Sequence, residues 1–238
     1  MVNTNQHSTR TDRPLDRRDQ LGDEVASFLR DLIMSGQLRG HEYIRMEHVA
    51  SHLRVSVTPV REALMSLRAE GFVSLEPRKG FIVLPLNEQD VRDLFLAHSF
   101  LAGELASHAA TFVDDAVLER LHAIQVRLTE AGERDDPEAI ELENYRFHRE
   151  INLLAASPKL AWLLNMVARY SPRRFYANIE GWPKASIDDH ELILEALAAR
   201  DEVRARVAMS AHIVNGGNLL ADFLHNIDDH EPYQPFFN

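Results

Sequence analysis

The chain has 238 residues, 45% hydrophobic and 26% charged, enough apolar material for one large globular domain or two ordinary ones. It has no cysteine, which excludes disulfides, thiolate zinc sites, iron–sulfur clusters and thiol nucleophiles, so any metal site must use His, Asp, Glu or Asn. Its net charge of −11 argues against nucleic acid only until it is divided: residues 1–86 hold 12 Lys and Arg against 11 Asp and Glu, and residues 87–238 hold 14 against 26.

Residues 1–20, where Arg and Asp alternate among Thr, Asn and Pro, read as a disordered arm. From Leu21, the residues Val25, Phe28, Leu29, Leu32 and Ile33 fall at helical spacing, and Gly36 and Gly40 end the helix. Met46 to Leu53 predicts a second short helix with Val49 and Leu53 on one face. A third begins at Ser56-Val57-Thr58-Pro59, where a cap-forming residue precedes a proline in the first turn, and it runs to Gly71 with Val60, Ala63, Leu64 and Leu67 inward. FVSLEP and FIVLPL around the basic turn Arg78-Lys79-Gly80 predict a β-hairpin.

Three short helices and a hairpin over residues 21–86 make a winged helix-turn-helix, and the side chains suit double-stranded DNA. Ser56 and Thr58 open the third helix, where hydroxyls and backbone N–H groups meet phosphates, and also serve as caps; Arg61 follows one turn later, in reach of a guanine edge. Arg78 and Lys79 at the wing tip suit phosphates or a narrow minor groove, and Gly80 permits close approach of the backbone. The segment VASHLRVSVTPVREALMSLRAEGFVSLEPRKGFIVLPL resembles the DNA-binding domain of GntR-type bacterial transcription regulators across residues 21–86. It departs from that pattern at Val57, where the family commonly has Arg, and at Glu47, where some members place a DNA-contacting Arg; Arg45 is a possible substitute.

From Asn87 the apolar residues keep a helical period through segments near 88–111, 114–132, 136–155, 158–179, 184–199 and 201–226, with Pro172 expected to kink or split the fourth. The second domain, residues 87–230, is thus an all-helical antiparallel bundle of six or seven helices, with 231–238 as a tail, and the fold class of the whole is mainly α. Asn144 and His148 share one helical face, and His190 and His212 each lie on an apolar face. A lone inward histidine is more often hydrogen-bonded than metal-bound, but three in a cysteine-free helical domain could converge with one oxygen ligand around Zn, Ni, Mn or Fe. Trp162, Trp182, Phe175 and Tyr176 are candidates for core or pocket. IDDHE occurs twice, at Ile187–Glu191 and Ile227–Glu231, and reads as coincidence.

ENYRFHREI, DDHELILEALAARD and MSAHI are similar to the three signatures of the FadR-type effector domain, the FCD class. The resemblance implies metal ligands at Asn144, His148, His190 and His212, with Asn144 standing where the family usually has Asp. It also implies a small carboxylate effector. Phe100 stands near the position where many members carry an effector-binding Arg, leaving Arg169, Arg173 or Arg174 to compensate. The reading is a homodimeric regulator that binds a palindromic operator, since two-fold pairing of two winged helices doubles the site. The competing reading is a metal-dependent hydrolase using the three histidines with Glu150 or Glu191 as base, although both glutamates are placed off the inward face. No run reads as a signal peptide or reaches the ~18 apolar residues of a membrane span, so the expected location is the cytoplasm.

Overall fold

The computed structural model describes residues 17–171, 176–230 and 236–237. The expected arm lies almost wholly outside these residues, as do Pro172, Arg173, Arg174 and Phe175. The first helix, α1, spans Arg17–Met34, starting four residues before the expected Leu21. Helices α2 (Met46–Leu53) and α3 (Val57–Ala69) follow, and α3 packs across α1 through Val60, Ala63, Leu64 and Leu67, all buried.

The wing is a three-stranded sheet rather than a hairpin alone. Strands β2 (Val73–Glu76) and β3 (Gly80–Val83) pair antiparallel, and a two-residue strand, β1 (Tyr43–Ile44), adds to the other edge of β3 with Tyr43 opposite Ile82 and Ile44 opposite Phe81. Two residues carry no readable period, so β1 was invisible to hydrophobic patterning. At the tip, Arg78 and Gly80 both have positive φ, 68° and 99°. A Cβ on Gly80 would meet nothing within 4 Å, so it is the backbone conformation that calls for glycine here.

The second domain comprises α4 (Glu88–Phe112), α5 (Asp115–Glu133), α6 (Pro137–Leu154), α7 (Pro158–Val167), α8 (Trp182–Ala198) and α9 (Glu202–His230). The starts of α4, α5 and α6 are set by side-chain caps: Asn87 and Asp90 form a reciprocal capping box, and Asp114 and Asp136 accept from Val117 N–H and Ala139 N–H. The predicted 158–179 helix is corrected. α7 stops at Val167, a 3₁₀ turn follows at Ala168–Tyr170, and a second covers Tyr176–Asn178. The chain leaves the α-helix ahead of Pro172, as expected where a proline disfavours helical backbone before it.

Helices α4 and α9 run antiparallel in intimate contact. Arg92 bonds Asn218 and Asp222 near one end, and Glu104 pairs with Arg206 at 2.6 Å towards the other. Gly103 and Gly217 permit this approach, since a Cβ would strike Ser210 and the Arg206 carbonyl at the first and the Phe95 ring at the second. At the chain's end Phe236 and Phe237 pack edge-on against His52, with Phe236 also meeting Phe28, so the C-terminus contacts the first domain.

Candidate functional site

On the first domain, Ser56 occupies the N-cap of α3 with extended backbone (φ −76°, ψ 164°), but its hydroxyl makes no capping hydrogen bond. This corrects the expectation that it caps, and it leaves the exposed hydroxyl available at the helix N-terminus beside Thr58, also exposed. Arg61 is exposed one turn later, and Arg45 is exposed at the N-cap of α2. Val57 instead packs against the core, and Glu47 stands exposed in the first turn of α2. Lys79 is less available than its position at the wing implies: its ammonium lies 3.2 Å from the Tyr43 hydroxyl and 3.2 Å from Glu76, whose carboxylate accepts from Tyr43 at 2.8 Å. The Tyr43 and Glu76 hydrogen bonds raise the Lys79 pKa. Arg78 is the more exposed cation of the tip in electrostatic terms, with no carboxylate partner among the described residues.

In the second domain the ring nitrogens of His148, His190 and His212 come within 4.8 Å of one another, although they belong to α6, α8 and α9. Nε2 of His148 lies 3.1 Å from Nε2 of His212. Two neighbours orient the rings. Gln125 donates from Nε2 to the Ile187 carbonyl at 2.9 Å, which turns its Oε1 towards His190 Nδ1 at 3.2 Å. His190 therefore donates through Nδ1 and presents an unprotonated Nε2, a buried atom without a hydrogen-bond partner. Asp189 Oδ2 lies 3.3 Å from His212 Nδ1 and accepts from Asn215 at 3.1 Å, fixing the second ring in the same sense. Burial pushes the Asp189 carboxyl up, but these hydrogen bonds outweigh it and hold it below its ordinary value.

Burial drives His148 and His190 well below the usual histidine pKa, and the neighbouring His212 adds to the effect. Three imidazoles whose facing nitrogens lie within 4.8 Å, braced from behind by an amide and a carboxylate, are the kind of donor set a divalent cation takes, the proton that His148 Nε2 shares with His212 Nε2 being released on binding. Two imidazoles on a tetrahedral ion with ~2.1 Å bonds stand ~3.4 Å apart, so a cation would part His148 and His212 slightly from their 3.1 Å and draw the wider spacings, up to 4.8 Å, together. Asn144, one turn before His148, lines the same cavity and its Oδ1 accepts from Ser186 at 3.3 Å. The sequence reading missed Gln125, Asp189 and a fourth histidine, His98 on α4. His98 is driven down to about 4 by burial and its Nδ1 lies 3.5 Å from Ser171.

His98, His148 and His212 line a cavity of about 960 Å³, with His190 buried behind them; Glu141, Arg149, Asn152, Asn165, Tyr176 and Trp182 also line it. Arg169 does not line it, which corrects its expected role against an effector carboxylate. Its guanidinium instead reaches Glu70 at the C-terminus of α3, 2.7 Å away, while Arg30 of α1 grips the other carboxylate oxygen at 2.8 and 3.0 Å. Tyr170 donates to the Glu70 carbonyl and its ring stacks on Phe72 at 4.6 Å. The residues on either side, Ala168 and Ser171, are cavity lining. Arg173 lies outside the described residues. Glu150 accepts from Arg120 at 2.8 Å and Glu191 is exposed, so neither glutamate joins the histidines.

A winged helix-turn-helix joined to a helical domain with a cavity beside buried histidines defines a two-domain DNA-binding protein. Residues 21–83 match the bacterial regulatory proteins of the gntR family, and residues 93–215, more than half of the chain, match the FCD domain. The chain belongs to this family: it is a DNA-binding transcription regulator with an FCD effector-binding domain, not an enzyme. It is 29% identical over 199 residues to the HTH-type transcriptional repressor GlaR of Escherichia coli K12, covering 79% of this chain and 90% of that protein. It is 28% identical over 216 residues to the regulator LutR of Bacillus subtilis, covering 81% and 97%. The fold is shared with E. coli McbR/YncC at a TM-score of 0.68 and 23% identity, over 85% of this chain and 97% of that one. Among the described residues no helix is long and apolar enough to cross a membrane.

Proposed function

We propose that the protein is a cytoplasmic, homodimeric regulator whose grip on a palindromic operator is set by a small carboxylate effector held in the histidine-sided cavity. The observation that carries this is the segment 168–171. Its ends line the cavity while Arg169 and Tyr170 hold the C-terminus of α3, so a change in the cavity wall is felt at the groove-reading helix within four residues.

Ser56, Thr58 and the backbone N-terminus of α3 contact phosphates in this reading, Arg61 reads a base edge, and Arg45, Arg78, Lys79 and Gly80 flank the duplex. Asn144, His148, His190 and His212 hold a divalent cation, Zn, Ni, Mn or Fe, which when bound supplies a Lewis-acidic position for an effector carboxylate. Gln125 and Asp189 keep His190 and His212 in the ligating tautomer. A second copy covers the outward apolar side chains Leu96 and Phe100 of α4 and Trp162 and Met166 of α7, which are about half exposed or more in one chain. The test is salt-dependent binding to DNA upstream of the protein's own gene. Arg61→Ala should weaken the operator by ~1–3 kcal/mol and relax one base position, whereas Lys79→Ala should lower all affinities alike and flatten the salt slope. An Arg61→Ala protein with unchanged affinity and sequence preference refutes this placement of α3.

A further inference from the structure

One face of α6 is a polar ladder. Glu141, Asn144, Tyr145, His148, Arg149 and Asn152 recur at three- and four-residue spacing and line the cavity along about 16 Å of helix. Asn165 of α7 adds another amide to the lining. Tyr176 and Trp182, stacked at 5.0 Å, contribute an aromatic surface, and the Tyr176 hydroxyl is buried there beside the Ser171 side chain. A phenol both donates and accepts, so a bound hydroxyl can pair with it as well.

The charges are equally particular. Among the described residues Arg149 is the one Lys or Arg in the lining and has no ion-pair partner, whereas Glu138 and Glu141 contribute two carboxyls. Glu141 accepts from the Ala177 N–H at 2.9 Å and from the Tyr176 backbone N–H. Burial pushes it up to about 7, so near neutral pH it both donates and accepts, the complement of an alcohol and not of a second carboxylate.

Resting on the effector reading above, we infer that the effector is a monocarboxylic acid bearing several hydroxyl groups, its carboxylate near Arg149 and the histidines and its hydroxyls on Glu141, Asn152, Asn165 and Tyr176. A dicarboxylate would bring its second charge towards Glu138 and Glu141. An unsubstituted alkyl acid would strip water from the amides and the tyrosine and give nothing back, which is the discrimination hydrogen-bonding sites make most strongly.

The test is calorimetric titration of the full-length, zinc-supplemented protein with gluconate, glucuronate, hexanoate and adipate, beside operator binding with each acid present. The hydroxylated monocarboxylates should bind at least tenfold more tightly than hexanoate or adipate. Arg149→Gln should weaken them at least tenfold, and Asn152→Leu or Asn165→Leu should narrow their advantage over hexanoate. Hexanoate or adipate binding as tightly as gluconate, while altering operator affinity, overturns the hydroxylated class but keeps an effector-controlled regulator. If no acid binds or changes operator affinity, the carboxylate-effector reading falls together with the inference.

Discussion

Cutting the bridge between cavity and groove-reading helix should uncouple the protein without unfolding it. Glu70 itself is a poor target: its side chain and that of Arg30 are only 11% and 13% exposed, and removing one partner of a buried pair costs about 3–5 kcal/mol. Arg169 is different. It is 49% exposed, so Arg169→Ala removes a screened ion pair worth about 0.2–1 kcal/mol and leaves Glu70 paired with Arg30. Tyr170→Phe deletes one hydrogen bond to a backbone carbonyl, about 0.5–1.5 kcal/mol, and keeps the ring on Phe72. The double variant thus loses roughly 0.7–2.5 kcal/mol of interdomain contact, comparable to a typical coupling free energy of about 1–3 kcal/mol. Urea unfolding should therefore show a modest loss, and calorimetry unchanged ligand affinity in the cavity. Operator titrations with and without zinc and gluconate should show the ligand's effect on DNA affinity reduced most of the way to nothing. Full ligand response in the double variant would refute the argument that residues 168–171 carry the signal.

Three further outcomes follow from the same geometry. Metal analysis of purified protein before and after chelator should find about one divalent ion per chain, with Asn144→Asp tightening it by adding a negative charge and His148→Ala abolishing it; native and Asn144→Asp proteins that both stay metal-free in excess Zn, Ni or Mn reject the site. Glu141→Gln should stabilise the protein at pH 8 and not at pH 4.5. Burial holds the Glu141 proton up to about 7 against 4.5 for an ordinary carboxyl, despite hydrogen bonds from Ala177 and Tyr176, so stability is lost as pH rises through that window, by ~3 kcal/mol at most; parallel urea curves for both proteins across pH 4.5–8 sink the idea. Residues 87–238 alone should sediment as a folded helical dimer, and residues 1–86 alone should bind operator weakly; a monomeric 87–238 contradicts the use of α4 and α7 as the paired face.

The sequence by itself determined the elements and the faces they present. A 3.6-residue period places Val60, Ala63, Leu64 and Leu67 inward on α3, and so leaves Ser56, Thr58 and Arg61 outward before any tertiary contact is known. The same period put Asn144 with His148 and turned His190 and His212 inward, which is why three converging histidines were legible although 64 residues separate the first from the last. What surrounds them was not legible, because those partners lie on other helices at no fixed spacing. Gln125 reaches His190 from 65 residues away and Asp189 reaches His212 from 23. His98 looked like any residue on the long helix α4, and only the close α4–α9 packing carries it to the cavity. Tertiary structure also reassigned Arg169, since a surface arginine in sequence finds its carboxylate in Glu70, 99 residues earlier. Local periodicity decides which way a side chain points; which charge it meets is decided by how the helices cross, and that depends on contacts such as Gly103 against Ser210, which no window of neighbouring residues contains.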